Sequence, residues 1–120
     1  MNPQEIFQKT DTLAKACLKV AMVLPQENQM STFAKVELVR HASELGIKTR
    51  GLRVGQLSEV FIERLSKAAD SCNGCGFWLQ YVLDMEILNK PEILNPLIAE
   101  CDQLAQTFLA ALKSAKNKVE

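Results

Sequence analysis

Between Leu57 and Val82, apolar or small residues recur at spacings of only three and four: Leu57, Phe61, Leu65, Ala68, Cys72, Cys75, Leu79 and Val82. A half-buried strand would alternate at every second residue, so this period is that of an α-helix carrying one apolar stripe. Such a helix cannot hide its stripe from water alone, and the rest of the chain must supply the cover.

Other segments repeat the pattern. The first begins with Asn2 as N-cap, Pro3 at the first helical position and Glu5 placed to close a capping box. Its apolar line runs Ile6, Leu13, Cys17, Val20 and Leu24, with Ala14 and Ala21 beside it, and Pro25 stops it. After PQENQ a second helix starts near Met30, with Ala34, Leu38, His41 and Leu45 in line and Phe33 and Val36 adjacent. The stretch GIKTRGLRVGQ reads as helix end plus connector, so this helix stops at Gly46 or nearer Arg53. A last helix carries Leu97, Ile98, Cys101, Leu104, Ala105, Phe108 and Leu112, and starts at Pro91 or with Asn95 as cap. The expected helices span roughly 3–24, 30–46, 56–88 and 91–116. They make an all-α, antiparallel up-down four-helix bundle, one domain over residues 1–120. Aromatic residues are only 6% of the chain, which leaves the core to aliphatic side chains.

The stretch SCNGCGFWL holds a Cys-x-x-Cys pair, Cys72 and Cys75. Both fall on the core line of the third helix, and Cys17 and Cys101 fall on the lines of their own helices. A structural zinc site takes four ligands, commonly as two close pairs, and here there is one pair and a single histidine in the chain. A thioredoxin-type motif needs a preceding strand, which the pattern does not offer. The cysteines are therefore expected as small core hydrophobes. Gly74 and Gly76 each cost about 1 kcal/mol against alanine in a helix, which points to a bend or a close backbone approach.

A second stripe follows on the same helix, Trp78, Tyr81, Met85 and Leu88, about 100° around from the first. Leu18, Met22 and Val23 are a similar surplus on the first helix. Trp, Tyr and Met are enriched at interfaces, so the second stripe is the candidate oligomer interface. His41 has Glu37 and Glu44 within a turn, yet Glu-x-x-His repeats of a di-iron bundle are absent, and a partly buried, hydrogen-bonded histidine is expected. The sequence shows no phosphate loop, dinucleotide turn or nucleophile triad, so no catalytic residue, cofactor, metal or small-molecule substrate is assigned and the protein is not expected to be an enzyme.

Lys+Arg and Asp+Glu both number 14, so the net charge is zero and any nucleic-acid contact must come from a local patch. Arg40, Lys48, Arg50 and Arg53 form one such patch, with Lys113, Lys116 and Lys118 at the C-terminus. Asp84, Glu86, Glu92, Glu100 and Asp102 gather near the third turn. No stretch approaches a membrane span and MNPQEIFQKT lacks a signal-peptide core, so a cytoplasmic protein with reduced cysteines is expected.

The stretches FQKTDTLAKACLKVAMVLPQE, LVRHAS, FWLQYVLDMEIL and LIAECDQLAQTFLAALKSAK come from all four expected helices, and the match they carry runs over nearly the whole chain. In them the sequence resembles a bacterial four-helix-bundle family. That family includes proteins encoded in intervening sequences of 23S rRNA genes and the accessory variability determinant (Avd) proteins of diversity-generating retroelements. Within it, Ser43 matches the serine of the rRNA-associated branch, and Phe77 to Leu79 look more like the Avd side. The resemblance implies an up-down bundle assembled as a homopentameric ring, without enzymatic activity. It also implies RNA, DNA or a nucleic-acid-binding protein such as a reverse transcriptase as partner. On that reading Arg40, Lys48, Arg50 and Arg53 touch nucleic acid, their weak contacts summed by repetition around the ring. The alternative is a protein–protein interaction scaffold with no nucleic-acid role.

Overall fold

The helical period of the sequence is realised in a computed structural model that describes residues 3–50, 52 and 58–119. The helices are α1 (Pro3–Val23), α2 (Gln29–Arg50), α3 (Ser58–Asp84) and α4 (Pro91–Val119), and no strand occurs among the described residues. Each packs on its neighbour in sequence, α3 on α4 most extensively, while α1 and α4 touch far less. Running directions follow from the contacts. Phe33 meets Trp78 and Met30 meets Tyr81, so α2 and α3 are antiparallel.

Local chemistry sets the ends. Asn28 caps α2, its Oδ1 accepting the Ser31 N–H at 2.7 Å and its carbonyl the Thr32 N–H at 3.2 Å. The buried Ser31 hydroxyl donates back to the Pro25 carbonyl and ties the α1–α2 turn shut. The expected Asn2 cap, Leu57 and Arg53 lie outside the described residues.

α2 continues through Gly46 to Arg50, beyond the earlier of its two expected ends. The buried Thr49 helps it there, its hydroxyl donating to the Leu45 carbonyl at 2.6 Å. α3 stops at Asp84, short of the expected 88. Glu86 turns left-handed (φ 55°), with its N–H on the Leu83 carbonyl at 3.1 Å and the Ile87 N–H on the Val82 carbonyl at 2.9 Å. This is the Schellman arrangement, formed without its usual glycine. α4 starts at Pro91 rather than after Asn95 and carries Pro96 inside it. Lacking an N–H, Pro96 cannot bond back to the Glu92 carbonyl, a loss confined to the early turns of a long helix.

One continuous core runs through the bundle, with Leu13, Leu38, Leu45, Leu79, Leu94, Leu104 and Phe108 at most 2% exposed. Aliphatic side chains and the four cysteines make up this core, with Phe108 as its buried aromatic residue among the described ones. On α2 the buried line is Ser31, Ala34, Leu38, Ala42, Leu45 and Thr49. Phe33 and Val36, expected beside the core, instead point outward, 55% and 58% exposed.

The glycines of α3 are close-approach sites. A Cβ on Gly74 would lie 2.3–2.6 Å from the Nδ1, Cε1 and Cγ atoms of His41, so the α2 imidazole sits in a notch on the α3 backbone. A Cβ on Gly76 would come 3.3 Å from the Cβ of Cys101 on α4. Both neighbours belong to the same chain. No described helix is long and apolar enough to cross a membrane.

Candidate interaction face

Because α2 and α3 run antiparallel, the N-terminal turns of α2 lie beside the C-terminal turns of α3. There several of the apolar side chains that the core does not absorb collect. Phe33 meets Trp78 edge-on with ring centroids 5.4 Å apart. Trp78 meets Phe77 at 5.0 Å and Tyr81 at 5.1 Å, again edge-on, and Phe77 stacks on Tyr81 at 6.3 Å. The Tyr81 hydroxyl donates to the Met30 sulfur at 3.7 Å. Edge-to-face pairs of this kind hold rings in fixed relative positions and add about 0.5–1.5 kcal/mol each beyond burial.

The cluster is anchored below and open above. Trp78 and Tyr81 are half-buried and pack against the core, whereas Phe77 is 58% and Met85 54% exposed. Of the four residues read as one interface stripe, Trp78 and Tyr81 share the helix. Met85 and Leu88 follow its end, and Leu88 folds back onto the core. The missing members are Met30, Phe33 and Phe77. The signal for Phe33 was present in the sequence: α2 is apolar on two opposite sides, with Phe33, Val36 and Ile47 on the side away from Leu38. On α1 the surplus divides likewise, Leu18 packing inward while Met22 and Val23 remain exposed.

The charged candidates separate. Arg40 lies on α2 and is paired within the chain, its Nη2 2.7 Å from the Glu37 carboxylate and its Nη1 3.8 Å from Glu44. The same Nη2 lies 3.3 Å from His41 Nε2. A guanidinium can only donate, so this contact favours a neutral imidazole that accepts at Nε2. Burial, then the Arg40 charge, lower the His41 pKa against the pull of Glu37 and Glu44. The expected half-buried, hydrogen-bonded histidine is thus in place. Lys48 and Arg50 stand in the last turn of α2.

The cysteines are all free and at most 1% exposed. Cys17 from α1 has Cys101 from α4 and Cys75 from α3 as its neighbours, so thiols from three helices meet in the core. Burial raises Cys72 to about 12, while the interaction with Cys17, and then burial, raises Cys75 and Cys101. The interaction with Cys101 and then Cys75 pulls the Cys17 pKa down, against the opposing effect of burial. Two weak S–H donors do not outweigh the cost of a charge in an apolar layer, and all four stand as thiols at neutral pH. No group of three His, Cys, Asp or Glu among the described residues is arranged to hold a metal ion.

Among the described residues, a shallow groove of about 570 Å³ lies between the start of α1 and the end of α2, lined by Phe7, Asp11, Thr49 and Arg50 among others. It brings together no nucleophile and base. Comparison with protein-family models, with curated proteins and with solved structures gave no match.

Proposed function

We propose that this chain is a non-enzymatic bundle whose working unit is a homo-oligomer, joined through the aromatic face of α2 and α3. The observation that carries this reading is the connected cluster of Phe33, Phe77, Trp78 and Tyr81, two of whose rings are more than half exposed. Fully burying a large apolar side chain is worth about 1.5–3 kcal/mol, so covering the open halves of Phe33 and Phe77 gains about 1 kcal/mol each. Rigid, half-anchored aromatics lose little entropy on docking, which is why such residues dominate interfaces. The family resemblance of the sequence implies five copies. Native mass spectrometry reads the copy number, and Phe33→Ser with Phe77→Ser, both at exposed positions, should lower it while far-UV circular dichroism stays unchanged. An unaltered mass refutes the assignment.

A second reading is nucleic-acid binding, favoured by Lys48 and Arg50 sharing one helix turn. Arg40 contributes less, because Glu37 already neutralises it. A neutral chain would bind through repetition of this small patch around an assembly. Binding to RNA or DNA that weakens with salt and with Lys48→Ala plus Arg50→Ala supports this reading. Affinity indifferent to both leaves the protein-interaction scaffold.

A further inference from the structure

Five of the exposed large apolar residues lie on α2 alone: Met30, Phe33, Val36, Val39 and Ile47. A helix that is apolar on its outer side as well as its inner one is built to be covered twice. The spacing of the outer side is informative. Phe33 lies seven residues before Arg40 and Ile47 seven after it, with Glu37 and Glu44 within one turn on either side, so a charged centre is flanked by an apolar residue in both directions.

We propose that the outer side of α2 packs antiparallel against α2 of a second copy, across a two-fold axis at Arg40. This deepens, and rests on, the reading of the aromatic face as a self-association surface, and it fixes the partner and the register. In that register Phe33 of each copy lies over Ile47 of the other. Each Arg40 comes within one helical turn of the other copy's Glu37 and Glu44, the two residue types that already hold it within its own chain. The guanidiniums near the axis are therefore interleaved with carboxylates. Lys48 follows Met30 by about five whole turns, on the edge of α2 that faces α3. A two-fold places that lysine beside the Phe77 and Trp78 rings of the other copy, a cation–π arrangement. The helix strip from Phe33 to Ile47 is about 21 Å long and 10 Å wide. Alone it falls short of the roughly 800 Å² per partner of a stable complex, and the adjoining aromatic rings extend it.

The contact is isologous, so by itself it makes a dimer; a ring of five would need a second, head-to-tail surface elsewhere on the chain. The test uses full-length chains with single cysteines added at exposed positions; the four native thiols are at most 1% exposed and do not compete. Chains carrying Phe33→Cys are mixed with chains carrying Ile47→Cys and oxidised with oxidised glutathione. A disulfide-linked pair in the mixture, with none from either variant alone, is expected, because like positions lie about 21 Å apart in this register. Linkage of Ile47→Cys chains to each other overturns the proposal. So does an assembled mixture that links nowhere, which leaves self-association through the aromatic face standing. A monomer that links nowhere, with the unmodified protein also monomeric, removes both. Independently of added thiols, Ile47→Glu should lower the assembled mass and Val60→Glu, exposed on α3, should not; equal effects overturn the register.

Discussion

Replacing Gly74 with alanine should destabilise this bundle even though alanine is the better helix former. Taken alone, the change gains about 1 kcal/mol of helix propensity in α3. The added methyl, however, falls 2.3–2.6 Å from three ring atoms of His41, well inside contact distance. The ring is flanked by Arg40 and Glu37 and is half-buried, so it must leave its notch or force α2 away. Overpacking of this kind costs about 1–3 kcal/mol. With ring atoms rather than a flexible tip in the way, the upper part of that range applies, for a net loss of about 1–2 kcal/mol. At this chain length the loss lowers the melting temperature by about 4 °C per kcal/mol. The diagnostic feature is a change of sign. In a His41→Ala background the notch is empty, and Gly74→Ala should then stabilise by about 1 kcal/mol, a coupling of about 2–3 kcal/mol. Urea unfolding followed by circular dichroism, at one fixed protein concentration, measures all four members of the cycle. If Gly74→Ala stabilises the parent, or acts equally in both backgrounds, the close contact between α2 and α3 is misassigned.

Three further outcomes follow from the same geometry. Glu86→Gly should raise stability by about 1 kcal/mol in the same urea assay, because the left-handed residue ending α3 would no longer carry a Cβ. Phe108→Ala should cost about 3–5 kcal/mol in that assay, since the ring is 1% exposed and is the largest fully buried side chain. Stability should also fall as pH drops below about 6.5, the ordinary histidine value. His41 has a lowered folded-state pKa, so the unfolded chain takes up the proton first. The loss should level off once the folded form is protonated too, and His41→Gln should abolish this part of the pH profile measured by thermal unfolding.

The helical architecture was legible because the core stripes of all four helices keep one period, and Pro25 and Pro91 mark two boundaries. The role of the cysteines was legible for the same reason, since each lies on a stripe. What escaped were features set by packing between helices. Phe33 and Val36 flank the core line of α2 in sequence, and only the position of α3 decides that they face outward. Gly74 announced a close approach without naming the neighbour, which proved to be His41 of the same chain. The end of α3 was hidden because the apolar pattern runs on through Met85 and Leu88, and no glycine marks the left-handed turn at Glu86.

Sedimentation velocity of the unmodified chain beside the Phe33→Ser, Phe77→Ser variant, over a dilution series, addresses self-association most directly. The unmodified chain should sediment as a multiple of 13.4 kDa and the variant, with equal helix content, as a smaller species. An unmodified chain that sediments as a single 13.4 kDa species at every concentration would contradict it.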